Sequence, residues 1–139
     1  MSIARLKKQI EKDVADAMAK VFAKYDIEVD RVIESPNEFS NLGFIGQDIV
    51  DTGRLLKSKV ITIGTFNGMW EWAPISPENG FPYGPAVHEG FLAWGKKFIP
   101  GRPWDVRAAQ NIDPVQIVVN VLNSKGYRVK IKQNNISLL

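Results

Sequence analysis

With 139 residues, 45% of them hydrophobic and 24% charged, the chain has the make-up of one globular domain, long enough to bury about two-thirds of its extended-chain surface. It has no cysteine and one histidine, which excludes disulfides, thiol nucleophiles and cysteine-ligated zinc. Any Ser-His-Asp triad must be built on His88, and an HExxH zinc helix lacks its second histidine. The net charge of +3 is uneven: residues 1–25 carry six Lys/Arg against three Asp/Glu, 26–51 one against seven, and 52–139 eleven against five. Such segments either neutralise each other within one molecule or place complementary patches on neighbouring copies. No apolar run approaches the roughly 20 residues that span a bilayer, and the N-terminus lacks a secretion-signal pattern. The expectation is a protein of the cytoplasm, or of a particle assembled there, with no membrane contact.

Taken in chain order, residues 1–25 predict a long helix. Ile3, Leu6, Ile10, Val14, Met18, Val21, Phe22 and Tyr25 recur at three- and four-residue steps, with Lys7, Lys8, Lys12, Asp13, Asp16 and Lys20 opposite. Either the whole stripe packs within the molecule, or part of it does and the rest is offered to a partner. Residues 26–50 read as an acidic extended segment followed by a loop: Ile27, Val29, Val32 and Ile33 suggest a short strand, and Ser35-Pro36-Asn37, Gly43 and Gly46 break regular structure. Asp26, Glu28 and Glu34 are its candidate contact residues.

From Lys59 the pattern turns β. Val60, Ile61, Ile63 and Phe66 precede Asn67-Gly68, a strong hairpin signal, and Met69, Trp70 and Trp72 follow, so a hairpin turning at 67–68 is predicted with both tryptophans on one face. Residues 74–103 hold many Pro and Gly, which predicts a long loop with short regular pieces. Its aromatics, among them Phe81, Phe91 and Trp94, fit an ordered contact surface. Asp113-Pro114-Val115-Gln116 reads as an N-cap, a first-turn proline and a capping-box glutamine. Val115, Val118, Val119 and Leu122 form the expected buried stripe of that helix, and Gly126 its end. Tyr127, Val129 and Ile131 then alternate with Arg128, Lys130 and Lys132, a half-buried strand with one basic face, before a short tail at 133–139. The whole predicts a single α+β domain: a long N-terminal helix and a C-terminal helix packed on a small, mainly antiparallel sheet, with a long Pro/Gly/aromatic loop.

Asp51-Thr52-Gly53 carries the tripeptide of aspartic proteases, in which two such carboxylates share a proton. The chain has no second copy of it, and Arg54-Leu55-Leu56-Lys57-Ser58 follows as one amphipathic turn. The residues before such a turn serve as helix caps, worth about 1 kcal/mol. His88-Glu89 suggests a general base, but on a strand the two point to opposite faces, and no nucleophile pattern lies nearby.

The same residues carry another likeness. Asp51-Thr52-Gly53-Arg54-Leu55, a following hairpin, Tyr83 with Glu89-Gly90, and Arg102-Pro103-Trp104 ahead of a helix together resemble the head–tail joining and tail-completion proteins of tailed bacteriophages. The family pattern runs DTGxLRxS, strand, YAxxxExG, then RPF before a C-terminal helix. Residues 51 to about 124 are covered, with a compatible long helix ahead; Pro85, His88, the long 74–82 loop and Trp104 depart from the pattern. The resemblance implies a virion structural protein without enzymatic activity or cofactor. It implies a ring, six-fold by family, touching neighbouring neck, connector or portal and tail-tube proteins, with genome DNA passing through its lumen without sequence-specific contact. In the motif, Asp51 and Thr52 are expected to cap a short helix, Gly53 to allow a tight turn, and Arg54 or Arg102 to pair with Glu89. Pro103 is expected to start a helix and Trp104 to anchor it. Two other readings stay open: a nucleic-acid-binding module using the basic strand and aromatic loop, and a small hydrolase around Asp51 or His88.

Overall fold

The computed structural model describes residues 2–44, 52–93, 97–132 and 135–138. Helix α1 spans Ile3–Glu34, capped by the Ser2 side chain, which accepts from the Arg5 N–H at 3.2 Å. The extended segment expected after Tyr25 is therefore nine further residues of helix. The physical reason lies in the stripe itself: Tyr25, Val29, Val32 and Ile33 keep the three- and four-residue spacing, and the last three are fully buried. Their β-branched side chains argue for a strand only until tertiary packing rewards the helical face. The helix stops at Ser35, which takes extended backbone ahead of Pro36, as the residue before a proline prefers.

A 3₁₀ turn at Ser40–Leu42 follows, then α2 at Thr52–Lys57 and the hairpin of β1 (Val60–Ile63) with β2 (Gly68–Glu71). Next come α3 (Gly84–Glu89) and a second antiparallel pair, β3 (Gly90–Ala93) with β4 (Lys97–Pro100). The C-terminal part holds α4 (Trp104–Ile112), α5 (Pro114–Ser124) and a third antiparallel pair, β5 (Val129–Lys132) with β6 (Asn135–Leu138). The fold is α+β, with the strands divided among three separate antiparallel pairs rather than joined in one sheet. Helix α1 packs mainly on helices α4 and α5, and the first hairpin reaches it through the Trp70 ring.

The first hairpin turns earlier than predicted. Gly68 already pairs with Ile63, and the loop is Gly64 to Asn67, closed by the Gly64 N–H donating to the Asn67 carbonyl at 2.8 Å. Gly68 has no positive φ; it is small because the Trp70 ring folds across it, 2.7 Å from where a Cβ would stand. The predicted start of α5 holds in part: Asp113 accepts from the Gln116 N–H at 3.3 Å, while the Gln116 amide bonds Asn120 instead of reaching back. Its buried stripe is Ile117, Val119 and Leu122, with Val118 half-buried, so Ile117 replaces Val115. At its end Gly126 (φ +97) lets the Tyr127 N–H reach the Leu122 carbonyl at 3.1 Å.

Three clusters form the core. The largest joins Val29, Val32 and Ile33 of α1 to Phe39, Leu55 of α2, Val87 of α3, and Trp104 and Ala108 of α4. A second joins Val21 and Phe22 to Ile117, and a third joins Val119 and Leu122 to Val129. The first turns of α1 lie outside all three: Ile3, Leu6 and Ile10 are 87%, 50% and 40% exposed.

Candidate functional site

Leu55, Tyr83 and Trp104, three residues of the pattern read between 51 and 104, gather around the largest cluster. Leu55 is 1% and Trp104 3% exposed, and Tyr83, at the N-terminus of α3, packs against the same group. Arg102 is buried, its guanidinium 4.2 Å from the centre of the Phe44 ring, and burial pulls its pKa down. Arg107 sits 5.0 Å over Phe39 and donates to the Glu38 carbonyl at 2.9 Å. Two arginines thus grip the segment that joins α1 to the Asp-Thr-Gly stretch. Pro103 precedes the first residue of α4, and its carbonyl accepts from the Arg107 N–H.

Two expected roles change. Gly53 lies inside α2, has no positive φ, and a Cβ there meets nothing within 4 Å, so no tight turn depends on it. Gly90 is the glycine that geometry requires: its φ is +89, and a Cβ would stand 2.6 Å from the Ile99 carbonyl oxygen. Gly101 faces it, and the Arg102 N–H donates to the Val87 carbonyl at 2.8 Å, which ties α3 to the chain entering α4. Asp51 and Trp94 lie outside the described residues, as does the side chain of Lys132; Thr52 opens α2, and Arg54 is half-buried within it.

Glu89, expected as a partner for Arg54 or Arg102, has its carboxylate on His88 instead. The pair is not on a strand but at the end of α3, where His88 Nδ1 lies 2.6 Å from Glu89 Oε1 and Nε2 lies 2.6 Å from Asp105 Oδ1. A neutral imidazole carries one N–H, so two carboxylate contacts call for the doubly protonated ring. Burial opposes that charge, but the hydrogen bonds and charges of Asp105 and Glu89 outweigh it and raise the pKa above 6.5. The ring meets Trp104 edge-on at 5.0 Å. With both nitrogens occupied, His88 is a clamp between α3 and α4.

The acidic candidates turn inward in part. Lys59 Nζ donates to Asp26 at 2.6 Å and to Asp30 at 2.9 Å; burial opposes its charge, yet the two carboxylates raise its pKa. Glu28 accepts from Arg31 at 2.7 Å and Asn111 at 3.2 Å, and Glu34 is exposed. Acidic and basic segments therefore meet within the molecule at Asp26 and Asp30, through Lys59, whereas Glu28 pairs within its own segment. Lys59, Asp30 and Asp105 escaped the sequence reading because a lone charged residue has no periodic signal.

A concave face centres on Trp70. Its ring packs edge-on against Tyr25 at 4.8 Å and tilted against Phe22 at 5.8 Å, and its Nε1–H donates to Asp26 at 3.2 Å. A cleft of about 390 Å³ beside it is lined by Phe22, Tyr25, Met69, Trp72, Asp105 and Ile112. Two smaller hollows, of about 200 and 270 Å³, share the Trp70 wall and carry Asp26, and His88 with Glu89, respectively. Burial, with the Asp105 charge, pushes the Tyr25 hydroxyl up to about 12. The indole N–H groups of Trp72 and Trp104 are buried with no acceptor among the described residues. No cluster of three or more metal-ligating side chains occurs among the described residues.

The remaining candidates lie on the outside. Phe81 is 56% exposed, Phe91 and Phe98 project from the second strand pair, and Arg128 and Lys130 are exposed on and beside β5. On the first hairpin Val60, Ile61, Ile63, Phe66 and Met69 are all exposed. No helix among the described residues is long and apolar enough to cross a membrane. A scan against protein-family models, a search of curated proteins and a search of solved structures each return no match.

Proposed function

We propose that this chain is a non-enzymatic structural subunit of a tailed-phage neck, a ring-forming protein that completes the tail and joins it to the head. It works by surface complementarity, is assembled in the host cytoplasm and resides in the virion. The observation that carries the reading is the division of apolar side chains. Motif residues Leu55, Tyr83 and Trp104 build one core, while the strand pairs at 60–71 and 90–100 present large apolar side chains outward. Exposed apolar surface on that scale marks contact with other chains. Strand pairs projecting from a helical body supply the two unlike surfaces that a head-to-tail ring requires, with the neck, portal and tail-tube proteins above and below.

Negative-stain microscopy of the purified protein, alone and mixed with phage tails, tests this. Closed rings, or rings formed on tail ends, are the expected result. Particles that stay monomeric and leave tails bare refute the proposal. Salt-dependent binding of free duplex DNA without rings favours instead a nucleic-acid role for Arg128 and Lys130.

A further inference from the structure

We infer that the first three turns of α1 form an arm that docks in the Trp70 cleft of a second copy of this chain. The stripe along α1 is continuous in sequence, but only from Val14 onward is it covered by the molecule itself. Ahead of that, Ile3, Leu6 and Ile10 stand exposed on one side. Around them Arg5, Lys7, Lys8 and Lys12 face a single exposed acid, Glu11. The arm is a basic amphipathic helix about 15 Å long at 1.5 Å per residue.

The Trp70 face has the opposite character. Its floor is aromatic, and the three hollows along it hold the carboxylates of Asp26, Glu89 and Asp105, with Asp30 beside them on Lys59, against two cations, Lys59 and His88. An apolar stripe flanked by cations fits an aromatic hollow flanked by carboxylates, and the charges fix the direction of docking. The arm does not reach the cleft of its own molecule. Val21 lines that cleft, and Leu6 lies fifteen residues up the same helix, about 22 Å away. An arm seated in the next copy's cleft repeats head to tail, and so deepens the ring reading on which it rests.

The absence of native cysteines makes the test clean. Two full-length variants, Leu6→Cys and Met69→Cys, both at exposed positions, are mixed and treated with a short bismaleimide. A covalent dimer is expected in the mixture and in neither variant alone. Adding Lys7→Glu and Lys8→Glu to the arm lowers its yield about tenfold. Self-linking of Leu6→Cys alone overturns the inference in favour of symmetric helix pairing. Absence of any link overturns it outright, and phosphatidylserine vesicles that bind the native chain but not Leu6→Glu then assign the arm to a lipid surface. Rings on tails without the 6–69 link leave the neck reading standing and remove the arm. The link without rings or tail binding does the reverse.

Discussion

Replacing Leu55 by alanine asks whether the Asp-Thr-Gly-Arg-Leu stretch is architecture. Leu55 is 1% exposed and packs among Val29, Val32, Ile33, Val87 and Trp104, which come from three different helices. Truncating such a leucine removes its transfer free energy and leaves a void that neighbours on separate rigid elements fill only in part. The expected loss is about 3 kcal/mol, within the roughly 2.7 to 5 kcal/mol measured for buried Leu→Ala changes. Against a total stability of about 5 to 15 kcal/mol this is a large fraction, and at about 4 °C per kcal/mol the melting point should fall by roughly 12 °C. Urea unfolding followed by tryptophan fluorescence reads it, since Trp104 belongs to the same cluster; the midpoint should move and the slope should not. Leu56→Ala, at a half-buried position, should cost clearly less. A loss under about 1 kcal/mol for Leu55→Ala would show that the segment is a detachable surface turn and would refute the reasoning.

Gly101→Ala should destabilise by about 1 to 3 kcal/mol or prevent folding, because its Cβ would stand 2.6 Å from the Glu89 carbonyl carbon; an unchanged melting point refutes the close approach. His88 is the lone histidine, so its ring resonance titrates without ambiguity. The folded pKa is raised, so the clamp's stabilisation is complete below the unfolded value near 6.5 and is lost as pH rises through the folded value. Melting points should decline across that window, the decline should vanish in His88→Gln, and a midpoint below 6.5 contradicts the clamp. Asp13 is held below 3.8 first by the Tyr127 hydroxyl, 2.7 Å from its carboxylate, against the opposing effect of burial, with Gln9 and Lys125 assisting. That stabilisation is present above the unfolded pKa and fades as pH falls through the folded one. Tyr127→Phe should therefore lower the urea midpoint at pH 7 more than at pH 3; an equal effect at both rules out the carboxylate as the partner. Asp26→Lys should lower stability by displacing Lys59, so a folded, unaffected variant contradicts the internal ion pair.

Local chemistry was legible wherever one short segment decides its own conformation. The three-and-four spacing of α1, the Asp113-Pro114 start of α5 and its glycine end, and the amphipathic turn at 54–58 depend on contacts within a few residues. The alternation in β5 holds at Val129, which is buried, but not at Ile131, which is 40% exposed. Where neighbours distant in sequence decide, the reading failed. Residues 26–34 are β-branched and acidic, yet Phe39, Leu55 and Ala108 make their helical face the buried one. Gly68 reads as a turn glycine, but the Trp70 ring and Phe22 require it to be small.

The sequence by itself determined the α+β class, the two ends of α5 and the absence of thiol chemistry, because propensity, capping and composition are properties of short stretches. Tertiary structure alone decided that His88 sits between Glu89 and Asp105, that Lys59 answers Asp26 and Asp30, and that α1 leaves its first turns bare. Asp105 lies 17 residues from His88, and Asp26 and Asp30 lie 33 and 29 from Lys59. A charged side chain's partner is set by where the backbone brings it, and no periodicity along the chain records that.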